Sequence, residues 1–304
     1  MIAVGRARQR PALARRRAAA GRVFIAPNLL AVVVFMAFPL VFSLYLSFHR
    51  WDMFSAPEYI GVANYRRLFT GDPLFYIALR NTVVFTIATV VATVVISVVV
   101  AAALNTKLRG IGIFRSIMFM PLVASTAAMT VVWHFMFNTD GGLLNTMLGW
   151  IQLGPVQWLA DPAWALLSLC LVSTWKSVPF ATVVLLAAMQ GVPGELYEAA
   201  RIDGAGGLRC LRSITLPLIR PALGFVFLIS IINSFQAFDQ AYVLTGGAGG
   251  PETGTYVFGI MLFQNAFAFN DLGYACALAW VIFAGLLLLT YLQMKLGRSR
   301  TETA

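Results

Sequence analysis

Few side chains in this 304-residue sequence have a type and spacing that could do chemistry. The two histidines, His49 and His134, lie 85 residues apart and belong to no HExxH pair, which excludes a zinc-hydrolase helix. The three cysteines, Cys170, Cys210 and Cys276, have neither metal-ligand spacing nor the look of a disulfide framework. None of the three lysines, Lys107, Lys176 and Lys295, follows a glycine, so no GxxxxGKS/T loop exists to cradle ATP phosphates. No Ser/His/Asp set or carboxylate pair stands out. The sequence predicts a non-enzyme that holds no metal and no cofactor of its own.

Three groupings remain. The segment 191–221 carries Glu195 and Glu198 with Ala199, Ala200, Arg201, Asp203 and Gly204. Lys176 stands in an apolar run beside Trp175. Asn233, Phe235, Gln236 and Asp239 interleave amides, a carboxylate and an aromatic ring. Amides and carboxylates bind hydroxyls, while aromatic faces stack on the C–H surfaces of sugars and polyols. Each grouping also has a plainer reading: an amphipathic surface helix for the first, snorkelling or a structural pair for Lys176, and interhelical hydrogen bonding for the third. Asn81 and Thr82 read as helix packing.

These groups have to be positioned by a membrane bundle. AVILMFWYC make up 60% of the chain and DEKR 11%, against roughly 25% charged residues in soluble domains. That much apolar surface cannot be hidden in one core of this size and must face lipid. The same balance excludes disorder. Six apolar stretches, about 23–48, 78–104, 112–137, 163–190, 215–240 and 272–294, are long enough to cross a hydrocarbon layer of about 30 Å as helices. They are continuous rather than alternating, which excludes a barrel. The expected fold is an all-α polytopic membrane protein: a basic tail over 1–22, a six-helix transmembrane domain over 23–294 and a second tail over 295–304. Pro27, Pro39, Pro121 and Pro179 fall inside the spans, where prolines are tolerated and their kinks often line cavities. The valines and threonines alternating over 82–100 read as a lipid-facing helix.

The net charge of +10 follows the topology. With six spans, seventeen Lys and Arg fall on one side and only Arg50, Arg66, Arg67 and Arg80 on the other. Basic loops stay inside, so both termini are expected in the cytoplasm. The N-terminal tail reads as an anchor on anionic membrane lipid, not as a cleaved signal peptide. With the basic excess so accounted for, and no nucleic-acid-binding motif, a nucleic-acid partner is not expected.

One inward loop, 191–214, is not merely basic. Glu195 and Glu198 fall in the first turns of a short helix, where carboxylates suit the positive dipole end. Ala199 and Ala200 leave a flat surface, and Gly204, Gly206 and Gly207 stop the helix. A short helix with small side chains and a fixed exit can plug a cleft in another protein.

The run Glu198-Ala199-Ala200, then Gly204, Ile214 and Leu216-Pro217, resembles the signature loop of ABC importer permeases: E-A-A, three residues, G, nine residues, I, one residue, L-P. WKSVPF (175–180), FQAFDQAYVLTGGAGGPET (235–253) and GYACALAW (273–280) resemble the sugar and glycerol-3-phosphate branch, with its UgpA-like, MalF and LacF relatives. TGGAGGPET departs from the commoner TGGGP by an insertion, read as a variation in an external loop. The resemblance implies the type I importer permease fold. It makes 191–214 the coupling loop, with Glu195, Glu198, Ala199, Ala200, Arg201, Asp203 and Gly204 against a nucleotide-binding subunit. The implied partners are a second, homologous permease subunit, two copies of an ATP-binding subunit that hold ATP and Mg, and an external solute-binding protein or lipoprotein. The implied location is the inner (plasma) membrane. The implied cargo is a sugar-type solute, first glycerol-3-phosphate or a glycerophosphodiester and alternatively an oligosaccharide or disaccharide. Trp175, Lys176, Asn233, Phe235, Gln236 and Asp239 are expected along its path. Phosphate recognition would favour a cluster of arginines, and the outer halves of the spans offer only Arg80. An ion-coupled secondary transporter would need buried acids, and only Asp239 comes near a span. A channel lacks a filter-like repeat.

Overall fold

Apolar runs become helices here, and prolines set where those helices slip or break. The computed structural model describes residues 11–106 and 110–298; Lys107, Arg109, Arg300 and the tail arginines Arg6, Arg8 and Arg10 fall outside them. The first crossing is α1 (Pro11–Val32), a π-turn at Val33–Ala37, and α2 (Phe38–Leu46). Pro39 has no N–H to give, and Phe38 donates to the Val33 carbonyl five residues back. The hydrogen-bond ladder slips by one residue instead of ending. Within the stretch Ala20–Leu46 only 6% of the most apolar window is buried by the rest of the chain.

A small hairpin follows, β1 (His49–Arg50) against β2 (Glu58–Tyr59), then α3 (Ala63–Arg66). The long helix α4 (Pro73–Leu104) starts with the Asp72 carboxylate accepting from the Leu74 N–H and proline in its first position, a strong N-terminal signal. The next apolar stretch is not one helix. Helices α5 (Ile111–Val123) and α6 (Thr126–Met136) meet at 101°, because Pro121 weakens the last turn of α5 and Ala124 and Ser125 are extended. After α7 (Leu143–Trp150), α8 (Pro162–Gln190) repeats the Asp-Pro start with Asp161. Pro179 leaves α8 unbroken.

The segment after α8 holds α9 (Gly194–Ile202), α10 (Gly207–Cys210), a π-turn at Leu211–Thr215 and α11 (Leu216–Leu218). The stretch Gly207–Leu218 meets α12 (Arg220–Phe235) at 76°. Pro217 and Pro221 both lack an N–H, and Ile219 between them leaves helical geometry. Three helices close the chain: α13 (Asp239–Thr245), α14 (Phe258–Phe263) and α15 (Leu272–Arg298). By length and composition there are four unbroken spans, or six if each bent pair crosses once. The protein is an all-α polytopic membrane protein.

The bundle has two ends. At one, the Tyr274 hydroxyl of α15 donates to the Asp72 carboxylate at the start of α4, 2.6 Å away. At the other, the Gln293 amide donates to the Gly224 carbonyl (2.7 Å) and Arg115 to the Leu104 carbonyl (2.9 Å). Buried side chains form one cluster toward each end: Phe75, Phe85, Tyr256, Phe258 and Tyr274 near Asp72, and Leu185, Met189, Ile219 and Val226 near α9.

Helices α4 and α8 run parallel through the middle, with the Ser97 hydroxyl donating to the Val178 carbonyl at 3.3 Å. The sequence reads 82–100 as lipid-facing, and the structure corrects half of that. Val83, Val84, Val91, Val95 and Val99 are exposed, but Thr82, Thr86, Thr89, Thr93 and Ser97 are buried. In lipid, helices associate through close packing of small side chains rather than through apolar burial, so the threonine face is the one that joins α8.

Asn81, also on α4, donates from its amide to the carbonyls of Thr253 (2.8 Å) and Tyr256 (3.2 Å). Next to it, the Thr82 hydroxyl accepts from the Phe258 N–H at 3.1 Å. These bonds hold the extended stretch before α14 against α4. Asn81→Leu should strand two carbonyls and cost about 2 kcal/mol. A thermal melt of the detergent-solubilised protein checks this: its midpoint should fall below that of the parent.

Candidate functional site

The residues marked out by the sequence fall into three separate places. The first is the knob built by α9. Pro193 leads into the helix, Glu195 sits in its first turn and Arg201 in its last, each suited to its end of the dipole. The helix ends as Asp203 N–H donates to the Ala199 carbonyl and Gly204 N–H to that of Arg201. Gly204 has φ +74°, a left-handed conformation that glycine takes without strain. Ala205 N–H then returns to the Ala200 carbonyl at 2.8 Å, closing the turn. Glu195, Glu198, Ala199, Arg201, Asp203 and Gly204 are exposed, while Ala200 and Tyr197 are half-buried against the chain. Ile202 is 87% exposed. An uncovered isoleucine rimmed by charges has the chemistry of a contact surface.

The second place is the break between α5 and α6. Trp175 of α8 packs edge-on against Trp133 of α6, with ring centres 5.7 Å apart. The Lys176 ammonium donates to the Pro121 carbonyl at 2.7 Å and to the Ala124 carbonyl at 2.6 Å. The last carbonyls of a helix have no partner of their own and carry its negative dipole end. A charged donor reaching them across the bundle satisfies both needs. The structure thus gives Lys176 the part of a structural pair, its partner being backbone rather than a carboxylate.

The third is a cavity of about 360 Å³ between the end of α12, α14 and α15, lined by Phe235, Gln236, Phe238, Phe258, Phe263 and Phe283 among others. Its size is within the range of small-molecule pockets. Phe238 and Phe263 pack with their rings tilted by 33° and centres 5.0 Å apart, and Tyr242 stands edge-on to Phe263 at 5.1 Å. Gly259 lets α14 lie directly on the link between α12 and α13, since a Cβ there would strike the Ala237 carbonyl. Of the four residues grouped by the sequence, Phe235 and Gln236 line this cavity. Asn233 and Asp239 are exposed and lie off its wall; Asp239 opens the first turn of α13. Phe258, Phe263 and Phe283 escaped sequence reasoning, because only folding brings α14 and α15 to the end of α12. The one local signal was the glycine beside Phe258.

A further cavity of about 530 Å³ lies at the Asp72 end, with Trp51, Asp52, Glu58, Asn64, Arg67 and Asp271 in its wall. Its charges are largely matched. Arg50 pairs with Glu58 at 3.3 Å and Arg67 with Asp271 at 2.5 Å. Hydrogen bonds from the Ser55 backbone and hydroxyl and from the Phe54 N–H pull the Asp52 carboxyl down to about 2. Among the described residues no group of His, Cys, Asp and Glu could hold a metal ion.

Known proteins share this plan. The family model for the binding-protein-dependent transport system inner membrane component matches residues 94–301. The chain is 34% identical to the trehalose/maltose transport system permease protein MalF of Thermococcus litoralis, over 94% of this chain and 96% of that one. It is 34% identical to the lactose transport system permease protein LacF of Rhizobium radiobacter, over 92% and 94%. Its fold is similar to a chain of the bacterial alginate ABC transporter solved in complex with an alginate pentasaccharide-bound periplasmic protein, with a TM-score of 0.82 at 20% identity, covering 96% of this chain and 99% of that chain. The family match takes in α8, the α9 knob, the broken segment after it and the aromatic cavity, and the chain belongs to the family of binding-protein-dependent transport system inner membrane components.

Proposed function

We propose that this chain is the permease subunit of an ATP-driven importer for a neutral saccharide, with the α9 end in the cytoplasm. The observation that carries the reading is the α9 knob: an exposed Ile202 and a charged rim held in a fixed turn, with no cover from the other described residues. The sequence has no phosphate-binding loop, so the push must come from another subunit that binds ATP and Mg. Arg201, Arg209, Arg212, Arg220 and Lys295 gather at this end, as basic residues do on the cytoplasmic side. The remaining partners are a second, homologous permease subunit, a second copy of the ATP-binding subunit and an external solute-binding protein. ATP shifts the exchange between inward-open and outward-open forms only through its different interaction with the two. The docked knob is where that difference enters this chain.

A neutral cargo fits the cavity better than a phosphorylated one. The wall offers phenylalanine faces and the Gln236 amide, which suit sugar C–H surfaces and hydroxyls. Lys176 is committed to two carbonyls, and Arg50 and Arg67 to carboxylates. Glycerol-3-phosphate or a glycerophosphodiester would call for a cation in the wall of this cavity, and its lining carries none. The similar permeases named for trehalose, maltose and lactose favour the same reading.

The test is uptake into proteoliposomes holding the complete transporter and its binding protein. A labelled disaccharide should accumulate only with ATP. Preferred accumulation of glycerol-3-phosphate would overturn the cargo, and uptake by this chain alone on an ion gradient would overturn the mechanism. Gln236 is exposed and has no part in the packing, so Gln236→Ala should leave the melting temperature unchanged. Loss of one hydrogen bond to a sugar hydroxyl should lower uptake at limiting solute about fivefold.

A further inference from the structure

The coupling reading above leaves open how motion of α9 reaches the span that carries Phe235 and Gln236. Beyond the braced turn at Gly204, the covalent route from α9 to α12 passes through Gly206 and Gly207, and glycine is the softest backbone available. A push on α9 would dissipate there. On its other side α9 is joined to α8 by the tight turn Gly191–Pro193, in which Gly191 and Val192 N–H donate to the carbonyls of Ala188 and Met189. By covalent structure alone, then, α9 would drive α8 and leave α12 behind.

Besides a long contact from the Cys210 thiol to the Ala205 carbonyl at 3.8 Å, one side-chain hydrogen bond bridges the soft stretch among the described residues. Tyr197 and Ala200 are the α9 residues turned toward the chain. The Tyr197 hydroxyl lies 2.8 Å from the Thr215 hydroxyl. Thr215 is 5% exposed. It sits in the π-turn Leu211–Thr215, directly before Leu216-Pro217 and the 76° bend into α12. It is itself anchored: its hydroxyl reaches the Cys210 carbonyl at 3.4 Å, and its own carbonyl accepts from the Ile219 N–H at 3.0 Å. A tyrosine ring is rigid beyond two torsions.

We propose that the Tyr197–Thr215 hydrogen bond is a strut that makes α9 move α8 and the foot of α12 as one body, so that Tyr197 and Thr215 are positioning residues for transport. The inference rests on the coupling role proposed for α9. Thr215 is the last residue of a π-turn, and π-turns are frequent at functional sites.

The experiment uses the complete transporter in proteoliposomes, with solute moved and ATP hydrolysed measured together. Tyr197→Phe and Thr215→Val each delete one hydroxyl and keep the shape. Both should still co-purify with the ATP-binding subunit and still hydrolyse ATP. Solute moved per ATP should fall about fivefold, the effect of losing one hydrogen bond of ordinary strength from a two-state balance. The double variant should be no worse than Thr215→Val alone, because that single variant has already lost the strut. Thr215→Ser, which keeps the hydroxyl, should transport normally. A parental ratio in both Tyr197→Phe and Thr215→Val would overturn the strut, as would additive losses in the double variant. Failure of the parent chain itself to bind an ATP-hydrolysing subunit would instead sink the coupling role, which separates the two results.

Discussion

Gly204→Val should reduce ATP-driven uptake by more than about tenfold while leaving the chain inserted in the membrane. The reason is conformational. At φ +74° a β-branched residue is strained, yet a Cβ at this position would meet nothing within 4 Å. The damage is therefore confined to the turn that aims α9, and no clash spreads into the bundle. Relaxing the strain means turning the backbone between Asp203 and Ala205, which loses the Ala205-to-Ala200 bond and swings Glu198 and Ile202 off their line. Gly206 provides the control. It is extended, with φ −73° and ψ 167°, and has open space around it. Gly206→Ala should transport almost normally. Uptake into vesicles, paired with protease protection to show insertion, distinguishes the two variants. Equal uptake by Gly204→Val and its parent would remove α9 from the coupling path.

The second large effect is expected at Lys176. Lys176→Met keeps most of the side chain's length and apolar stem but removes the donor to Pro121 and Ala124. Two carbonyls at a helix break would then lie at membrane depth with no water to serve them. The loss should be about 3 kcal/mol, the range for hydrogen bonds made by a charged group. Lys176→Arg, which can still reach with several N–H groups, should recover much of it. Thermal melts of the purified protein read the effect directly. If Lys176→Met melted like the parent yet changed cargo selectivity, the lysine would be a wall of the path and not the clamp of the α5–α6 break.

The difference between what could and could not be read from the sequence is visible at these residues. Hydropathy is a local sum, so the long helices α4, α8 and α15 appear as apolar stretches in the sequence itself. The α9 knob was legible for a similar reason. Its start and stop are marked by Pro193, Glu195 and Gly204 within one short segment, and glycine with a positive φ is a local requirement. Family resemblance through Glu198-Ala199-Ala200, Gly204 and Leu216-Pro217 added the partner that local physics could not name.

Proline announced a disturbance but not its size. Pro179 leaves α8 unbroken, Pro39 shifts a ladder by one residue, and Pro121 precedes a bend of 101°. The outcome depends on whether a neighbour can serve the freed carbonyls, and for α5 that neighbour is Lys176, 55 residues away along the chain. The valine and threonine run of α4 shows the same limit: both faces are apolar enough for lipid, and only the approach of α8 selects the threonines. By itself the sequence determined a helical membrane protein with one built knob between two spans, because composition and punctuation act over a few residues. The tertiary structure alone decided which spans break, what Lys176 holds and which phenylalanines share a cavity, because each of those is a contact between helices far apart in the chain.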